Sequence, residues 1–318
     1  MRALITGVTG QDGWYLSEAL LAEGVTVFGL VAPGDATGLP PGVVPVPGDM
    51  RDAASLRSAV DAAEPDEVYN LAAISSVAQS WHDPEAVADV NGVGVVRLLE
   101  AVRAFEDGRP AGGRVRVVQA GSAEIFGNAP APQDESAPIA PCTPYGAAKA
   151  YAHHVVRAYR GAGAWAANAI LYNHESPRRP EAFVTRKITA AAAAIAAGRG
   201  ARLVLGNLDA RRDWGFAGDY ADALRRMARQ ADPRDFVIAT GVSHSIADFV
   251  RTAFAEVGID DWARHVVVDP ALQRAGDADE QRGDATLAGT VLGWTPTVGF
   301  AGLVRLMVDA DRAALATA

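Results

Sequence analysis

A short apolar run, Arg2-Ala-Leu-Ile-Thr6, is followed at once by glycines at positions 7, 10 and 13 and by an amphipathic helical pattern. That succession predicts a strand, a tight turn and a helix. Gly7 permits the turn, Gly10 lets backbone approach a pyrophosphate, and Gly13 allows close helix contact, while the helix N-terminus offers N–H groups and a favourable dipole to an anion. A lone glycine repeat marks many ordinary turns. Its position directly after the first strand makes a dinucleotide-binding unit the expectation here.

The alternation of strand and helix patterns continues through residue 175. Strands are expected at Val25–Val31, Val43–Val46, Glu67–Ala72, Val115–Ala120 and Ala167–Tyr172, and helices near 12–23, 52–63, 84–105 and 145–162. Such alternation predicts an α/β fold with a Rossmann-type, doubly wound parallel sheet. The expected division is a dinucleotide-binding domain over 1–175 and a smaller C-terminal substrate-binding lobe over 176–318, some of whose segments return to the sheet. The Pro- and Ala-rich segment 129–143 is expected to be a loop that shapes the pocket. The alanine-rich stretch 187–197 reads as a packing helix.

Composition narrows the function classes. Over 318 residues, 49% hydrophobic content is ample for a sizeable core, and a net charge of −9 argues against a nucleic-acid partner or a polybasic membrane surface. Cys142 is the single cysteine, which excludes an internal disulfide framework and suits a reducing compartment, so cytoplasm is the expected location. Neither a charged-then-apolar leader nor an apolar stretch long enough to span a bilayer is seen, and no membrane association is expected.

Tyr145 and Lys149, in Pro-Tyr-Gly-Ala-Ala-Lys, fall one helical turn apart on one face. A phenol beside an ammonium can pass protons, because the cation stabilises phenolate and draws a reference pKa of about 10 toward neutrality. Taken alone, this spacing also occurs on ordinary exposed helices.

Together, Thr6-Gly7-x-x-Gly10-x-x-Gly13, Asn70-Leu-Ala-Ala73, the Ser122 region and Tyr145-x-x-x-Lys149 resemble the extended short-chain dehydrogenase/reductases. Within that superfamily the chain resembles the GDP-mannose 4,6-dehydratase family. The strings that carry this are Gly7-Val-Thr-Gly-Gln-Asp-Gly13, Asn173-His-Glu-Ser-Pro-Arg-Arg179, Phe183-Val-Thr-Arg-Lys-Ile-Thr189, Arg212-Asp-Trp-Gly215 and Phe236-Val-Ile-Ala-Thr-Gly241, which reach across nearly the whole chain. The resemblance implies an NAD(P)-dependent hydro-lyase that oxidises sugar C4, eliminates water across C5 and C6, and returns hydride to C6. It places Tyr145 and Lys149 at the C4 hydroxyl, Ser122 on the C4 oxygen, and Glu124 as the base for the C5 proton. Ser122 and Glu124, two residues apart on an extended strand end, are expected on one side of the chain. Ala123 stands where dTDP-glucose dehydratases carry the first member of an acidic pair, which disfavours that substrate.

For the cofactor the resemblance implies contacts from Gly7, Thr9, Gly10, Gln11, Asp12 and Gly13 in the first turn. Asp49 and Met50, then Leu71, Ala72 and Ala73, and finally Tyr145, Lys149 and His174 complete the implied set. For the nucleotide sugar it implies Ser75, Asn173, Val184, Lys187, Arg212, Arg274 and Asp277, with Arg212 and Arg274 suited by their planar forks to a diphosphate. No metal is implied. The implied cofactor is NADP, yet Val31-Ala-Pro-Gly-Asp35 lacks the arginines with which family members pair the 2′-phosphate, so NAD stays open. The loop 33–42 looks short beside the arginine-rich loop through which such enzymes tetramerise, and a homodimer built on helices 84–105 and 145–162 is expected instead. Ile74 and Ser76 stand where the family tends to carry Gln and His. GDP-mannose is the implied substrate. Two alternatives remain: a 4-keto-6-deoxy-sugar reductase using NAD(P)H once per turnover, and a non-catalytic cofactor sensor on the same fold.

Overall fold

In the computed structural model, which describes all residues except 36, 109–113, 201, 273–277 and 318, seven parallel strands build the main sheet. Six of them come in order: β1 (Arg2–Thr6), β2 (Thr26–Val31), β3 (Val44–Pro47), β4 (Glu67–Asn70), β5 (Arg116–Ala120) and β6 (Ala166–Leu171). Three more strands, β7 (Asn173–Glu175), β8 (Leu203–Leu205) and β9 (Arg211–Phe216), lie outside it, and β10 (Phe236–Ile238) returns to its edge. The spatial order is β10-β6-β5-β4-β1-β2-β3, the doubly wound order extended by one strand. Pro45 and Pro47 are tolerated because β3 is an edge strand.

The two faces follow from period-two alternation along each strand. In β1, Ala3 and Ile5 join the core under α1 (Gln11–Ala22), whereas Leu4 joins the opposite core under α2 (Ala53–Ala63). Burying one such aliphatic side chain contributes about 1.5–3 kcal/mol, so a one-residue slip of register would be heavily penalised. Short α3 (Val77–His82) and α4 (Pro84–Ala88) precede α5 (Gly94–Asp107). The helix expected at 84–105 is present from Pro84 to Asp107, with a π-helical turn over Asp89–Val93 inside it. Its cause is Asn91, whose buried amide accepts from Ile74 N at 2.8 Å and donates to Ile74 O at 3.0 Å, with the extra residue of the turn accommodating that reach.

After α6 (Pro144–Gly161) and β6, Tyr172 N still bonds Ile238 O at 3.0 Å, but β7 then leaves to pair with β9. The remaining helices are α7 (Val184–Ala196), α8 (Ala217–Ala228), α9 (Ile246–Glu256) and α10 (Phe300–Thr317). α7 thus starts three residues before the expected helix, at Val184. The last strands are β11 (Ser243–Ser245), β12 (Val266–Val268) and β13 (Glu280–Gln281). β9 is the hub of a second sheet, flanked by β11 and β13 and met by β7. A separate apolar cluster around Trp214, Phe249 and Met307 packs α7, α9 and α10 against it. Among the described residues, no helix is long and apolar enough to cross a membrane.

Candidate active site

The sheet order reverses between β1 and β4, and the crevice outside their carboxyl ends is where a doubly wound sheet receives its ligand. Three buried polar side chains latch that point. Thr6 Oγ1 donates to Asn70 Oδ1 at 2.5 Å while accepting from Leu71 N and Ala72 N at 3.1 and 3.0 Å, and Asn70 Nδ2 donates to Gln119 Oε1 at 2.6 Å. Gly7 turns the chain at φ +65°, and a Cβ there would stand 2.8 Å from Ala72 N. At Gly13 a Cβ would fall 2.5 Å from Val8 Cα, so α1 sits directly on the loop. The first-turn N–H groups of α1 have no intrahelical acceptor. This cradle fits a dinucleotide pyrophosphate.

Glu124 does not lie on an extended chain with Ser122, as its two-residue spacing suggested. Ser122 caps a 3₁₀ turn over Ala123–Phe126, its Oγ accepting from Glu124 N at 3.3 Å. The turn forms because a cap-favouring serine comes just after the end of β5. α6 is then pressed against it: Thr143 caps the helix, Pro144 fills its first turn, and a Cβ on Gly146 would come within 2.6 Å of Glu124 O. Glycine at 146 is therefore what brings Tyr145 to Ser122 and Glu124.

Tyr145 and Lys149 are both buried, with 8% and 4% exposure. Burial pushes the Tyr145 phenol up to about 12, with the Ser122 hydroxyl pulling it down and Glu124 adding to the rise. The same burial draws Lys149 down to about 8, opposed by Asp12. Lys149, expected to draw the phenol toward neutrality, donates from Nζ to Ala120 O at 2.8 Å and lies 5.8 Å from the Tyr145 ring centroid, while burial raises the phenol. His174 is fixed at both nitrogens, with Nδ1 2.7 Å from Tyr172 O and Nε2 2.9 Å from Asp12 Oδ2. Burial opposes charge on both partners, but their mutual attraction prevails, raising His174 and lowering Asp12.

A cavity of about 770 Å³ opens at this point. Its wall brings together Ser122, Glu124, Tyr145 and Lys149 with Asp12, Leu71, Ala73, Ser75 and His174. From the second sheet and α7 come Asn173, Val184, Lys187 and Arg212. Gly7, Thr9, Gly10, Gln11, Gly13, Asp49, Met50 and Ala72 are not on this wall; they lie along the glycine turn and after β3 and β4. Asp49 is held by Arg51, whose Nη2 is 2.7 Å from Oδ2. Lys187 Nζ donates to Val204 O at 2.7 Å, and buried Arg212 Nη1 to Ala278 O at 2.8 Å. Arg274 and Asp277 fall outside the described residues. No residue of the loop 129–143 is on the cavity wall; Ala140 N donates to Ile125 O at 2.9 Å in the turn that carries Glu124, and Gln133 braces the segment after β13.

Arg179 and Gln281 also stand on this wall. Arg179 ion-pairs with buried Glu175 at 3.1 Å, with its guanidinium over the Phe183 ring at 3.7 Å. In the sequence Arg179 stands only as the end of the Asn173 string. Gln281 gave no signal at all.

The chain matches the family model described as GDP-mannose 4,6 dehydratase over residues 4–307. It is 46% identical over 326 residues to GDP-mannose 4,6 dehydratase 1 of Arabidopsis thaliana, covering 97% of this chain and 89% of that protein. Human GDP-mannose 4,6 dehydratase is 41% identical over 341 residues, covering 97% and 91%. Among solved structures, the UDP-glucose 4-epimerase of Thermus thermophilus in complex with NAD superposes with a TM-score of 0.86 at 28% identity, over 99% of this chain and 100% of that one.

Proposed function

The chain belongs to the GDP-mannose 4,6-dehydratase family, and from that membership and the wall of its cavity we propose that it converts GDP-mannose to GDP-4-keto-6-deoxymannose. The carrying observation is the convergence of Ser122, Glu124, Tyr145 and Lys149 on one cavity with Asn173, Val184, Lys187 and Arg212. A bound nicotinamide dinucleotide supplies one chemistry, the removal of hydride from C4 and its return at C6. Side chains handle the protons and the binding. Tyr145 takes the C4 hydroxyl proton, with Lys149 and Ser122 stabilising the phenolate and Ser122 holding the C4 oxygen. Glu124 takes the C5 proton, acidic once C4 is a ketone, and delivers it to the departing C6 hydroxyl, so the net change is loss of one water. Gly7, Thr9, Gly10, Gln11, Asp12 and Gly13 hold the pyrophosphate, Asp49 and Met50 border the adenine, and Leu71, Ala72, Ala73 and His174 flank the remainder. Ser75, Asn173, Val184, Lys187 and Arg212 receive the sugar nucleotide, together with Arg274 and Asp277.

Offered GDP-, UDP-, dTDP- and CDP-hexoses without added cofactor, the enzyme should remove one water from GDP-mannose, read by mass, with no net use of NAD(P)H. Stoichiometric oxidation of NADPH by a 4-keto sugar, with no dehydration of any sugar nucleotide, would establish the reductase instead.

The 2′-phosphate of NADP finds no cation in the described residues just after β2. Asp35, the charged residue there, accepts from Thr37 N at 2.9 Å within its own turn, and Arg51 is already engaged by Asp49. Preference for NADP over NAD should accordingly stay below about a hundredfold, or about 2.7 kcal/mol. Titration showing a larger ratio would reveal a 2′-phosphate site elsewhere in the fold.

The same reading assigns the cofactor to residues 1–175 and the nucleotide sugar mainly to 176–318. It also takes the enzyme as a cytoplasmic homodimer, off the membrane. Supporting the dimer, Val93 and Tyr151 are exposed on the π-helical turn and α6, the elements expected to form its interface. A solution mass close to that of one 33.1 kDa chain would count against it.

A further inference from the structure

We propose that Gln281 is a positioning residue for the proton carrier Glu124, an inference that rests on the dehydratase reading. Gln281 Nε2 donates to Glu124 Oε1 at 3.2 Å, across 157 residues of sequence, and the glutamine is 3% exposed on the cavity wall. An amide suits this task for a chemical reason. Glu124 must be a carboxylate when it takes the C5 proton and a carboxylic acid when it releases that proton to the C6 oxygen. An amide N–H can donate to Oε1 in both states, because the carbonyl oxygen of the acid still accepts. Being neutral, it neither competes for the proton nor clamps the carboxylate in its charged form, as an arginine or lysine would. With Oε1 held in this way, proton transfer is directed to Oε2.

The donor is fixed from three sides. Through β13, Gln281 registers with Arg212 of β9, and the Arg212 guanidinium in turn binds Ala278 O. Beyond β13, Gln133 N donates to Arg282 O and Gln133 O accepts from Asp284 N, both at 2.9 Å, while Asp213 accepts from Gly283 N at 3.3 Å. Gly283 itself admits no side chain: a Cβ would stand 2.4 Å from Ala239 Cβ and 2.7 Å from Tyr172 Cε2. A strand pinned this firmly delivers its side chain with the small positional error that a proton-transfer group requires. It also joins Arg212, assigned above to the sugar nucleotide, to the residue that acts on the sugar.

Gln281→Met keeps the volume and removes the donor. Its dehydration rate at saturating GDP-mannose should fall about 10- to 100-fold. KM should stay within about twofold, since the residue acts after binding. The single-turnover rise in nicotinamide absorbance on C4 oxidation should persist, and solvent-deuterium incorporation at C5 should drop by the same factor as turnover. Persistence of the absorbance step shows that the variant is folded and loaded. Equal losses in the absorbance step and in C5 exchange would make Gln281 a general structural residue, and wild-type rates in both would make the contact idle; either result overturns the proposal. A wild-type enzyme that dehydrates no sugar nucleotide removes the underlying reading, and the proposal with it, which the wild-type lane of the same assay tells apart.

Discussion

Glu124→Gln should lower GDP-mannose dehydration by about a thousandfold, within the span that a positioned acid–base group contributes. It should still bind the sugar nucleotide and still allow C4 oxidation. The substitution keeps the shape and one oxygen that can accept from Gln281 Nε2, and removes the proton-carrying function, because an amide cannot take the C5 proton. The geometry makes this separation possible. Glu124 hangs from a 3₁₀ turn whose backbone is held by the Ser122 cap and by the close approach of Gly146, so an isosteric replacement leaves the turn and the Tyr145 position in place. Absorbance should therefore rise once, in proportion to enzyme, while C5 takes up no deuterium from solvent. Dehydration by Glu124→Gln near the wild-type rate would reduce Glu124 to a structural carboxylate and remove the central step of the mechanism.

Features governed by local rules were legible before the structure. The glycine turn, the doubly wound sheet and the span of α6 each follow from a few adjacent residues, because turn geometry, period-two burial and helical periodicity act over short spans. Where long-range contacts decide, the sequence was silent or misleading. The π-helical turn at Asp89–Val93 exists because Asn91 reaches Ile74, and no local pattern announces that partner. The serine after β5 was read as part of an extended strand end, yet its hydroxyl stops the strand by capping the 3₁₀ turn over Ala123–Phe126. Gln281 is the clearest case: it sits in a polar stretch with no motif, and the pairing of β13 with β9 carries it to Glu124. The Tyr145–Lys149 spacing foretold a shared face but not the burial, which is what sets the resting state of both groups.

Tyr145→Phe should fail earlier than Glu124→Gln, with turnover down by about a thousandfold or more and no absorbance rise on adding GDP-mannose. To take the C4 proton Tyr145 must be phenolate, the form that burial opposes. On the proposed mechanism it becomes a base with the help of Ser122 and Lys149. Ser122 already pulls the phenol down, and Lys149, drawn to about 8 by burial, carries its charge at neutral pH while anchored to Ala120 O. Phenylalanine keeps the ring that packs against Val87 and Ala148, so the fold and substrate binding should survive. On the proposed mechanism the group that takes the C4 proton is lost, and with it every later step: no C4 ketone should form, C5 should not become acidic, and deuterium exchange at C5 should be absent even though Glu124 is intact. Absorbance and exchange followed together thus give opposite first failures in the two variants. A Tyr145→Phe enzyme that still shows the absorbance rise at the wild-type rate would move the C4 proton to another acceptor and leave Tyr145 as a packing residue.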